Sequence, residues 1–343
     1  MVEITIRGAG ILGLSIAWIC TERGAKVQII DPGGPAAGSS GGVVGALAPH
    51  VPENWNAKKA FQLDSLLSAE TFWADVRNVS GAEPGYLRSG RLQPIADARA
   101  LALAESRCAS ARELWGDHAD WSVEPVPDTG WAPPSPAGFL IRDTLSALVH
   151  PRLGCAALVA ALQTRGVSIS TQGEDRGQVV WAAGLQGLEM LNAQNHRPVG
   201  NGVKGQAAVL GYDASGQPQL FADGLHIIPH LNGTVAIGST SERDYSDPVS
   251  TDSQLDDLIE KARRLVPVLA NAPVLERWAG VRPRARSRAP MLGPWPDRPG
   301  HFIANGGFKI GFGMAPRIAV VMADLILENR NTIPEGFGVE ASL

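Results

Sequence analysis

The sequence predicts an α/β fold built from two interleaved domains. Three observations support this prediction: an amino-terminal strand that runs through a glycine-rich turn into a helix, a second alternating strand after that helix, and a buried strand of the parallel-sheet type at 178–184. The length of 343 residues leaves room for one large domain or two ordinary ones with an ample core, and two interleaved domains would suit it.

The glycine-rich turn comes first. A mainly β-branched run at 4–7 is followed by Gly8, Gly10 and Gly13 in the spacing Gly-x-Gly-x-x-Gly, and an apolar helical run begins at Ile11-Leu12. Gly8 permits a sharp turn, Gly10 lets backbone amides approach a pyrophosphate, and Gly13 lets the helix pack closely on its strand. Because a helix amino terminus attracts phosphate, this pattern is typical of a Rossmann-like dinucleotide site.

Asp31 ends the second strand, at 25–30. Its distance from the glycines is close to that at which an acid binds the ribose hydroxyls of a dinucleotide. The alternative is a surface turn that begins with Asp31 and Pro32. Residues 33–45 are almost all small, so few of them could fill a core. A linker is one interpretation of this run. We favour a glycine-lined backbone along which a cofactor lies, because a linker this early in the chain would not separate the nucleotide-binding unit from another domain.

The pattern of apolar residues in the next part of the chain predicts helices that cover a second domain. Apolar residues recur at helical spacing over 58–79 and again over 97–117, and residues 86–95 between them have strand character. Prolines at 133–136 mark a loop that we expect to lead back to the first domain.

The chain then returns to the nucleotide domain. His150 and Pro151 open a helix predicted over 152–163, and a short strand is predicted over 167–171. The buried strand at 178–184 ends in glycine and forms the third part of this domain.

A series of strands separated by polar turns comes next. Strands are predicted around 205–210, at 226–230 and at 234–238, and Asn232-Gly233 is a strong signal for a hairpin between the last two. An amphipathic helix is predicted over 252–269, with a capping residue at its start and acids in its first turns.

A last helix, predicted over 315–327, is apolar on nearly every face and should be deeply buried. Four glycines between Asn305 and Gly313 lead into its amino terminus. Such a helix start attracts negative charge, which suits the reactive ring of a flavin, because the reduced ring is negative at its N1/O2 edge. Close packing at the helix start is the alternative, but it does not explain Lys309 in the middle of the segment.

Composition excludes some classes of protein. The 30 basic and 34 acidic residues give a formal charge of -4, so no global field attracts nucleic acid or anionic lipid. Cys20, Cys108 and Cys155 match neither a metal motif nor a disulfide framework, and we expect small core residues in a reducing compartment. The sequence shows no leader and no apolar run of membrane-spanning length, which predicts a cytoplasmic protein without membrane insertion.

Several separated segments together resemble the D-amino acid oxidase (DAO) family of FAD enzymes, and most closely its glycine oxidase and sarcosine oxidase branch. The order and spacing of these segments over nearly the whole chain carry the resemblance. The segments are the 8–13 turn with Asp31, the run ending in Gly45-Ala46-Leu47-Ala48-Pro49, the helix after Pro151 with 165–167, and 180–184, 204–206, 237–242, Trp278-Ala279-Gly280-Val281-Arg282-Pro283, 290–293 and 305–316.

The resemblance implies a Rossmann-like FAD-binding domain of the glutathione-reductase type, interleaved with an α+β substrate domain built on an antiparallel sheet. The implied FAD domain comprises 1–50, 145–205 and 285–343, and the substrate domain comprises 51–144 and 206–284. The residues that the resemblance assigns to FAD are Gly8, Gly10, Ile11, Leu12, Gly13, Asp31, Pro32, Ser39, Ser40, Gly41, Gly42, Gly45, Ala46, Leu47, Gly184, Gly307, Phe308, Lys309, Ile310, Gly311, Phe312 and Gly313.

The implied reaction is oxidation of the C–N bond of a small amino acid or N-substituted glycine, such as glycine, sarcosine or a D-amino acid. A hydride passes to flavin N5, and the imine is then hydrolysed. Since flavin carries the redox step, the protein mainly has to bind and orient the substrate.

Three residues are candidates for that task. Arg282 stands where the family places the arginine that binds the substrate carboxylate, and Lys309 where the sarcosine oxidase type places a carboxylate-binding lysine. A guanidinium fork suits a carboxylate, although Arg282 could also be an exposed charge in the basic run that ends at Arg288. His226 aligns with a pocket tyrosine of glycine oxidases and should share a strand face with His230. A neutral His226 could accept the ammonium proton of the substrate, and a structural histidine is the alternative.

The sequence also departs from the family pattern. Ser39 to Gly42 replace the histidine or arginine that binds flavin covalently in many relatives, so we expect non-covalent FAD. The segment between Val167 and Val179 is short, which leaves the adenine contact undefined, and Gly307 replaces a frequent histidine.

Other functions are still open from the sequence. They are an FAD module acting on carboxymethylaminomethyl-uridine in tRNA, a subunit of an amine or opine dehydrogenase complex, and a flavoprotein or NAD-binding module without catalysis. Arg282, Arg284, Arg286 and Arg288 would be a phosphate site in the first, but the overall acidity opposes it. We expect a small amino acid or amine substrate, oxygen or another electron acceptor, and no nucleic acid, and we leave a homo-oligomer open.

Overall fold

The computed structural model describes residues 2–343. The strands are β1 (Glu3–Arg7), β2 (Lys26–Ile30), β3 (Ala46–Leu47), β4 (Arg91–Pro94), β5 (Trp121–Pro125), β6 (Phe139–Asp143), β7 (Ala147–Leu148), β8 (Ser168–Ser170), β9 (Gln178–Trp181), β10 (Gly200–Leu210), β11 (Gln219–Ala222), β12 (Leu225–His230), β13 (Thr234–Gly238), β14 (Val274–Ala285), β15 (Met291–Pro294) and β16 (His301–Asn305). The helices are α1 (Ile11–Glu22), α2 (Ala57–Ser80), α3 (Ala98–Trp115), α4 (Pro151–Thr164), α5 (Gly184–Asn192), α6 (Ser253–Leu265) and α7 (Gly311–Glu328).

The first sheet has the strand order β15-β16-β9-β1-β2-β8. All its pairs are parallel except β15 with β16. β1 lies between β2 and β9, and its Ile4 and Ile6 are fully buried. Because the carboxyl ends of parallel strands meet at one edge of a sheet, the turn at Gly8 and the carboxylate of Asp31 come together there.

Helix α7 lies in the interior of the protein. It packs against α1 and α2, and Met314, Ile318 and Met322 are fully buried. Pro316 has no N–H to donate within the helix, and the N–H of the next residue, Arg317, donates to Ser65 Oγ of α2 at 3.2 Å. The deep burial predicted for the last helix is confirmed.

The second sheet has the strand order β14-β10-β13-β12-β11-β4-β6-β5, and all its pairs are antiparallel except β4 with β11. Ala207 pairs with Trp278 and Gly238, and Gly238 pairs with His226, so Trp278 and His226 lie on one face. This face is turned toward the 43–47 segment, because His230 of the same face binds the Val43 carbonyl at 2.9 Å. The opposite face packs against α6.

Most elements confirm the sequence predictions. The helices predicted over 58–79, 97–117 and 152–163 are α2, α3 and α4, and the Asn232-Gly233 signal marks the turn of the β12–β13 hairpin. Asn56 and Asp97 cap α2 and α3 with side-chain oxygens that accept the N–H groups of Lys59 and Ala100.

Other elements differ from prediction. Helix α7 begins at Gly311, four residues before the predicted start, because burial stabilises a first turn whose glycines have low helix propensity. Helix α6 ends at Leu265 because Pro267 disfavours helical geometry at Val266. The proline loop at 133–136 connects β5 to β6 within the second sheet and does not lead back to the first. The strand predicted over 86–95 is limited to β4, and the sequence did not predict α5.

The predicted domain division stays a prediction, and its 205/206 and 284/285 junctions fall inside β10 and β14. Cys20 and Cys155 are buried, as expected for small core residues, and burial raises the pKa of each thiol to about 12. Cys108 is half-buried. Within residues 2–343, no helix combines the length and the apolar character needed to cross a membrane.

Candidate active site

The glycine-rich turn after β1 is closely packed. The Gly8 N–H donates to the Ile30 carbonyl of β2 at 3.0 Å. A β-carbon on Gly8 would overlap with the Ala182 carbonyl oxygen, and one on Gly13 would overlap with the carbonyl oxygen of Gly8. Glycine is therefore required at these two positions for the strand, the turn and α1 to meet as they do.

Two polar side chains hold this turn. Asp31 accepts the Ala9 N–H at 2.7 Å through Oδ2 and the Gly33 N–H at 2.9 Å through Oδ1. Ser40 Oγ accepts the Ile11 N–H at 3.0 Å, so this first-turn N–H of α1 already has a partner. The N–H groups of Leu12 and Gly13 still point along the helix axis toward the turn, as helix geometry requires. Carboxylate oxygens each accept more than one hydrogen bond, so Asp31 keeps acceptor capacity for a ribose.

The two glycine-rich segments that are far apart in sequence are neighbours in space. A β-carbon on Gly311 would lie 3.7 Å from Ile11 Cγ2, and one on Gly313 would lie 3.9 Å from the Leu47 Cα. The amino termini of α1 and α7 thus converge, with the 45–47 segment beside them. Two converging helix starts lined by glycines fit a long anionic dinucleotide such as FAD.

The 39–47 segment links this cradle to the second sheet. Ser39–Gly41 forms a 3-10 turn, and a β-carbon on Gly42 would lie 3.2 Å from the Trp278 ring of β14. A β-carbon on Gly45 would overlap with the Val149 carbonyl, so the chain passes very close to the start of α4. Gly184 lies at the first position of α5 with a positive φ of 55°, and its carbonyl accepts a hydrogen bond from Asn305 at 2.8 Å.

Arg282 projects from β14 onto the face of the second sheet that carries His226. Its Nη1 donates to Ser239 Oγ at 2.6 Å, and its Nη2 donates to the carbonyls of Thr240 at 2.8 Å and Lys204 at 3.2 Å. The guanidinium lies over Gly205, where any β-carbon would overlap with it. The buried Nε has no hydrogen-bond partner within residues 2–343. The Nε–H and the second Nη1–H are thus donors that these contacts leave unused.

Burial lowers the pKa of Arg282 to about 10, and the negative charge of Glu242 partly opposes this effect. Arg282 is therefore charged at neutral pH, but its charge is poorly solvated. An anion that reaches it restores part of the lost solvation.

A buried polar network supports Arg282 from behind, and the sequence did not predict its role. The side chains of Lys204 and Glu242 are 3.6 Å apart, and the two residues also exchange backbone hydrogen bonds at 2.9 Å. Gln206 donates to Glu242 at 3.1 Å and to Asp252, the capping residue of α6, at 2.9 Å. Lys204 and Gln206 are polar residues in a buried strand, which was the available signal in the sequence.

Lys309 and Phe308 complete this side of the site. Phe308 has a positive φ of 43°, which is uncommon for a residue with a large side chain. The Phe308 ring centroid lies 5.7 Å from the Arg282 guanidinium carbon and 5.8 Å from Lys309 Nζ. Lys309 is exposed at the mouth of the site, and its pKa is lowered by partial desolvation and by the charges of Arg282 and Arg284. The structure thus brings the predicted arginine and lysine to one aromatic ring.

His226 lies beside Phe221, with ring centroids 4.6 Å apart. Its buried Nδ1 has no hydrogen-bond partner in the described chain. Burial, together with the charges of Arg91 and Lys309, lowers its pKa to about 4. His226 is therefore neutral at neutral pH, but a group with this pKa is a weak acceptor for an ammonium proton. This environment opposes the base role suggested by the sequence and leaves His226 as a hydrogen-bonding group.

His230 shares the strand face of His226, as expected, but its contacts hold the fold together. It is fully buried, it binds the Val43 carbonyl, and its ring centroid lies 4.6 Å from that of His150. Burial lowers its pKa to about 4 as well. His230 therefore connects the second sheet to the 43–47 segment.

The chain matches the family model of DAO, FAD dependent oxidoreductases, over residues 3–325. It belongs to this family. FAD is therefore its cofactor, and the two glycine-lined helix starts fit that group.

Curated relatives agree with this assignment. The chain is 27% identical to the bifunctional protein ThiO/ThiG of Nostoc sp., over 96% of this chain and 53% of that protein, so it spans about half the length of that relative. It is 27% identical to the glycine oxidase of Pseudomonas aeruginosa, over 94% of both chains.

Solved structures share the fold. Glycine oxidase from Geobacillus kaustophilus superposes with a TM-score of 0.84 at 19% identity and covers 99% of both chains. Iminodiacetate oxidase from Chelativorans sp. BNC1 superposes with a TM-score of 0.84 at 21% identity and covers 98% of both chains. These similarities confirm the predicted fold class, a Rossmann-like FAD-binding unit combined with an antiparallel sheet.

Proposed function

We propose that this protein is an FAD-dependent oxidase or dehydrogenase that oxidises the C–N bond of a small amino acid or N-substituted glycine, of the glycine, sarcosine or D-amino acid type. The main support is the pair of cations, Arg282 and Lys309, that two distant parts of the chain bring to the Phe308 ring beside the start of α7. The relatives named as glycine oxidases, and the structural neighbour named as an iminodiacetate oxidase, agree with this substrate class.

We assign the cofactor contacts as follows. Asp31 and Pro32 lie at the adenosine ribose, and residues 8–13 and 39–42 at the pyrophosphate, with Gly184 nearby. Residues 45–47 and 307–313 surround the flavin ring. Ser39 to Gly42 contain no side chain that attaches flavin, which supports non-covalent binding. Bound FAD supplies a hydride acceptor for the carbon beside the amine, and water then hydrolyses the resulting imine.

Arg282 and Lys309 bind the substrate carboxylate in this proposal. The free N–H groups of Arg282 and the ammonium of Lys309 orient the carboxylate, and orientation is the main contribution that the protein has to make. The free Nδ1 of neutral His226 hydrogen bonds to the amine. Because His226 has a pKa of about 4, the amine loses its proton to solvent before oxidation, and not to this histidine.

The test compares amines with hydroxy acids on the purified flavoprotein. Glycine, sarcosine, D-alanine, iminodiacetate and D-aspartate are offered with oxygen or with an electron-accepting dye, alongside glycolate and lactate, which carry a hydroxyl group in place of the amine. Turnover of at least one amine with release of ammonia or methylamine supports the proposal. Turnover of the hydroxy acids alone, or of none of the compounds with either acceptor, refutes it. Peroxide formation distinguishes an oxidase from a dehydrogenase.

A further inference from the structure

A second pair of cations lies next to the proposed carboxylate site. Arg284 is two residues beyond Arg282 on β14 and therefore lies on the same face of the sheet. Its guanidinium carbon is 5.2 Å from the Phe308 ring centroid, and its backbone bridges to Gly307. Lys58 approaches from the first turn of α2, and its Nζ donates to the Arg288 carbonyl at 2.6 Å.

These cations have no carboxylate partner among residues 2–343. The ion pairs of the described chain all involve other basic side chains. Glu242 is the acid whose charge acts on Arg282, and its side chain is already paired with Lys204. Burial and the charges of Arg284 and Arg288 lower the pKa of Lys58. Arg282, Arg284, Lys309 and Lys58 thus form a group of like charges whose mutual repulsion an anionic ligand would relieve.

The charge of a single carboxylate leaves part of this group uncompensated. A carboxylate between Arg282 and Lys309 contacts only these two of the four cations. Arg284 also lies against the Phe308 ring, Lys58 reaches the carbonyl of the exposed Arg288, and both Arg284 and Lys58 are only half-buried. A second anionic group that extends from the substrate toward solvent would reach them.

We propose that Arg284 and Lys58 form a subsite for a second carboxylate, so that the preferred substrates are dicarboxylic amino acids or dicarboxylic N-substituted glycines. The inference rests on the proposed function, because it assumes that the first carboxylate lies at Arg282 and Lys309. The second carboxylate belongs either to the substituent on nitrogen or to the amino acid side chain.

Binding of two unreactive analogues tests this subsite without turnover. Methoxyacetate has one carboxylate and diglycolate has two, and neither has an amine to oxidise. Dissociation constants follow from the change in the visible spectrum of the bound flavin. We expect diglycolate to bind at least about 10-fold more tightly than methoxyacetate, because two partly buried cations contact its second carboxylate. Added salt should reduce this preference.

Variants assign the preference to the two side chains. Arg284→Gln and Lys58→Gln should each weaken diglycolate binding about 5- to 10-fold more than methoxyacetate binding. Arg284→Lys keeps the charge and should retain most of the preference. Arg277→Gln is the matched control, because Arg277 lies on the opposite face of β14 and pairs with Asp256. It should leave the ratio of the two dissociation constants unchanged.

Turnover identifies the source of the second carboxylate. Iminodiacetate is compared with sarcosine, and D-aspartate with D-alanine, by kcat/KM. A preference for iminodiacetate places the second carboxylate on the nitrogen substituent, and one for D-aspartate places it on the side chain.

Equal binding of diglycolate and methoxyacetate overturns the inference, as does an equal loss of both in Arg284→Gln. In that case sarcosine or D-alanine is still oxidised and the proposed function stands. If none of the amines, with one carboxylate or two, reduces the flavin, the proposed function itself fails.

Discussion

Replacing Arg282 by methionine should separate its role in substrate binding from its role in the fold. The structure allows an estimate of the effect on stability. Burial lowers the pKa of Arg282 to about 10, which corresponds to a destabilisation of the charged form by about 3 kcal/mol. The contacts with Ser239, Thr240 and Lys204 contribute about 1 kcal/mol each in the opposite direction. The two effects nearly cancel.

Arg282→Met should therefore leave the melting temperature within about 4 °C of the parent protein. The substrate carboxylate, in contrast, loses a charge-assisted partner worth about 2 kcal/mol, so kcat/KM for sarcosine or glycine should fall by about 30-fold, mainly through KM. The control is Arg277→Met on the same strand, whose exposed ion pair with Asp256 should affect neither quantity measurably.

The assay measures steady-state kinetics, flavin content and thermal unfolding on the same preparations. Unchanged kinetics in Arg282→Met would refute the assignment of the carboxylate to this residue. A loss of flavin together with a large drop in melting temperature would show that Arg282 is a structural residue.

Three further changes have expected outcomes. Gly13→Ala puts a methyl group onto the Gly8 carbonyl oxygen and should abolish FAD retention in gel filtration. Gly38→Ala, at a position with open space around it, should retain FAD. Equal flavin content in the two variants would contradict the assignment of the turn as the pyrophosphate site. Ser239→Ala removes one hydrogen bond to Arg282 and should raise KM about 5-fold with little effect on kcat; a fall in kcat alone would contradict this. The folded protein holds the pKa of His230 at about 4, so below pH 6.5 the unfolded chain binds a proton at His230 more readily than the folded protein does. The free energy of unfolding therefore decreases as the pH falls from 6.5 toward 4. His230→Gln should therefore lose about 2 kcal/mol less than the parent protein between pH 7 and pH 5 in urea unfolding, and an identical pH dependence would refute the buried neutral state.

Much of the first sheet could be predicted because its signals are local. Gly8, Gly10 and Gly13 are fixed by the backbone turn itself, and the apolar residues of α1 follow directly. The β12–β13 hairpin was predictable for the same reason, since Asn232-Gly233 determines its turn. The start of α7 was not predictable, because Gly311 and Gly313 have low helix propensity and only burial against α1 and α2 makes them helical.

The site was predictable in its residue types but not in its contacts. The resemblance to known relatives selected Arg282 and Lys309, yet no periodicity in the sequence indicates that the Arg282 guanidinium lies over Gly205. Nor does it indicate that this guanidinium binds one backbone carbonyl of β10 and one of the loop after β13. The low pKa of His226 depends on burial and on the charge of Arg91. Arg91 is on β4, far from β12 in sequence but only two strands away from it in the folded sheet. Long-range pairing therefore determines the electrostatics of the site.

Anaerobic reduction of the bound flavin by an amine decides whether this site oxidises a C–N bond. The oxidised flavoprotein is mixed with sarcosine, glycine, iminodiacetate, D-alanine or D-aspartate in the absence of oxygen, and the visible flavin band is followed together with the products. The proposed function predicts loss of the band and formation of about one 2-oxo acid per flavin reduced, which is glyoxylate for glycine, sarcosine and iminodiacetate. A flavin that stays oxidised with every amine, or one that is reduced by glycolate and not by glycine, would contradict the claim that this site oxidises a C–N bond.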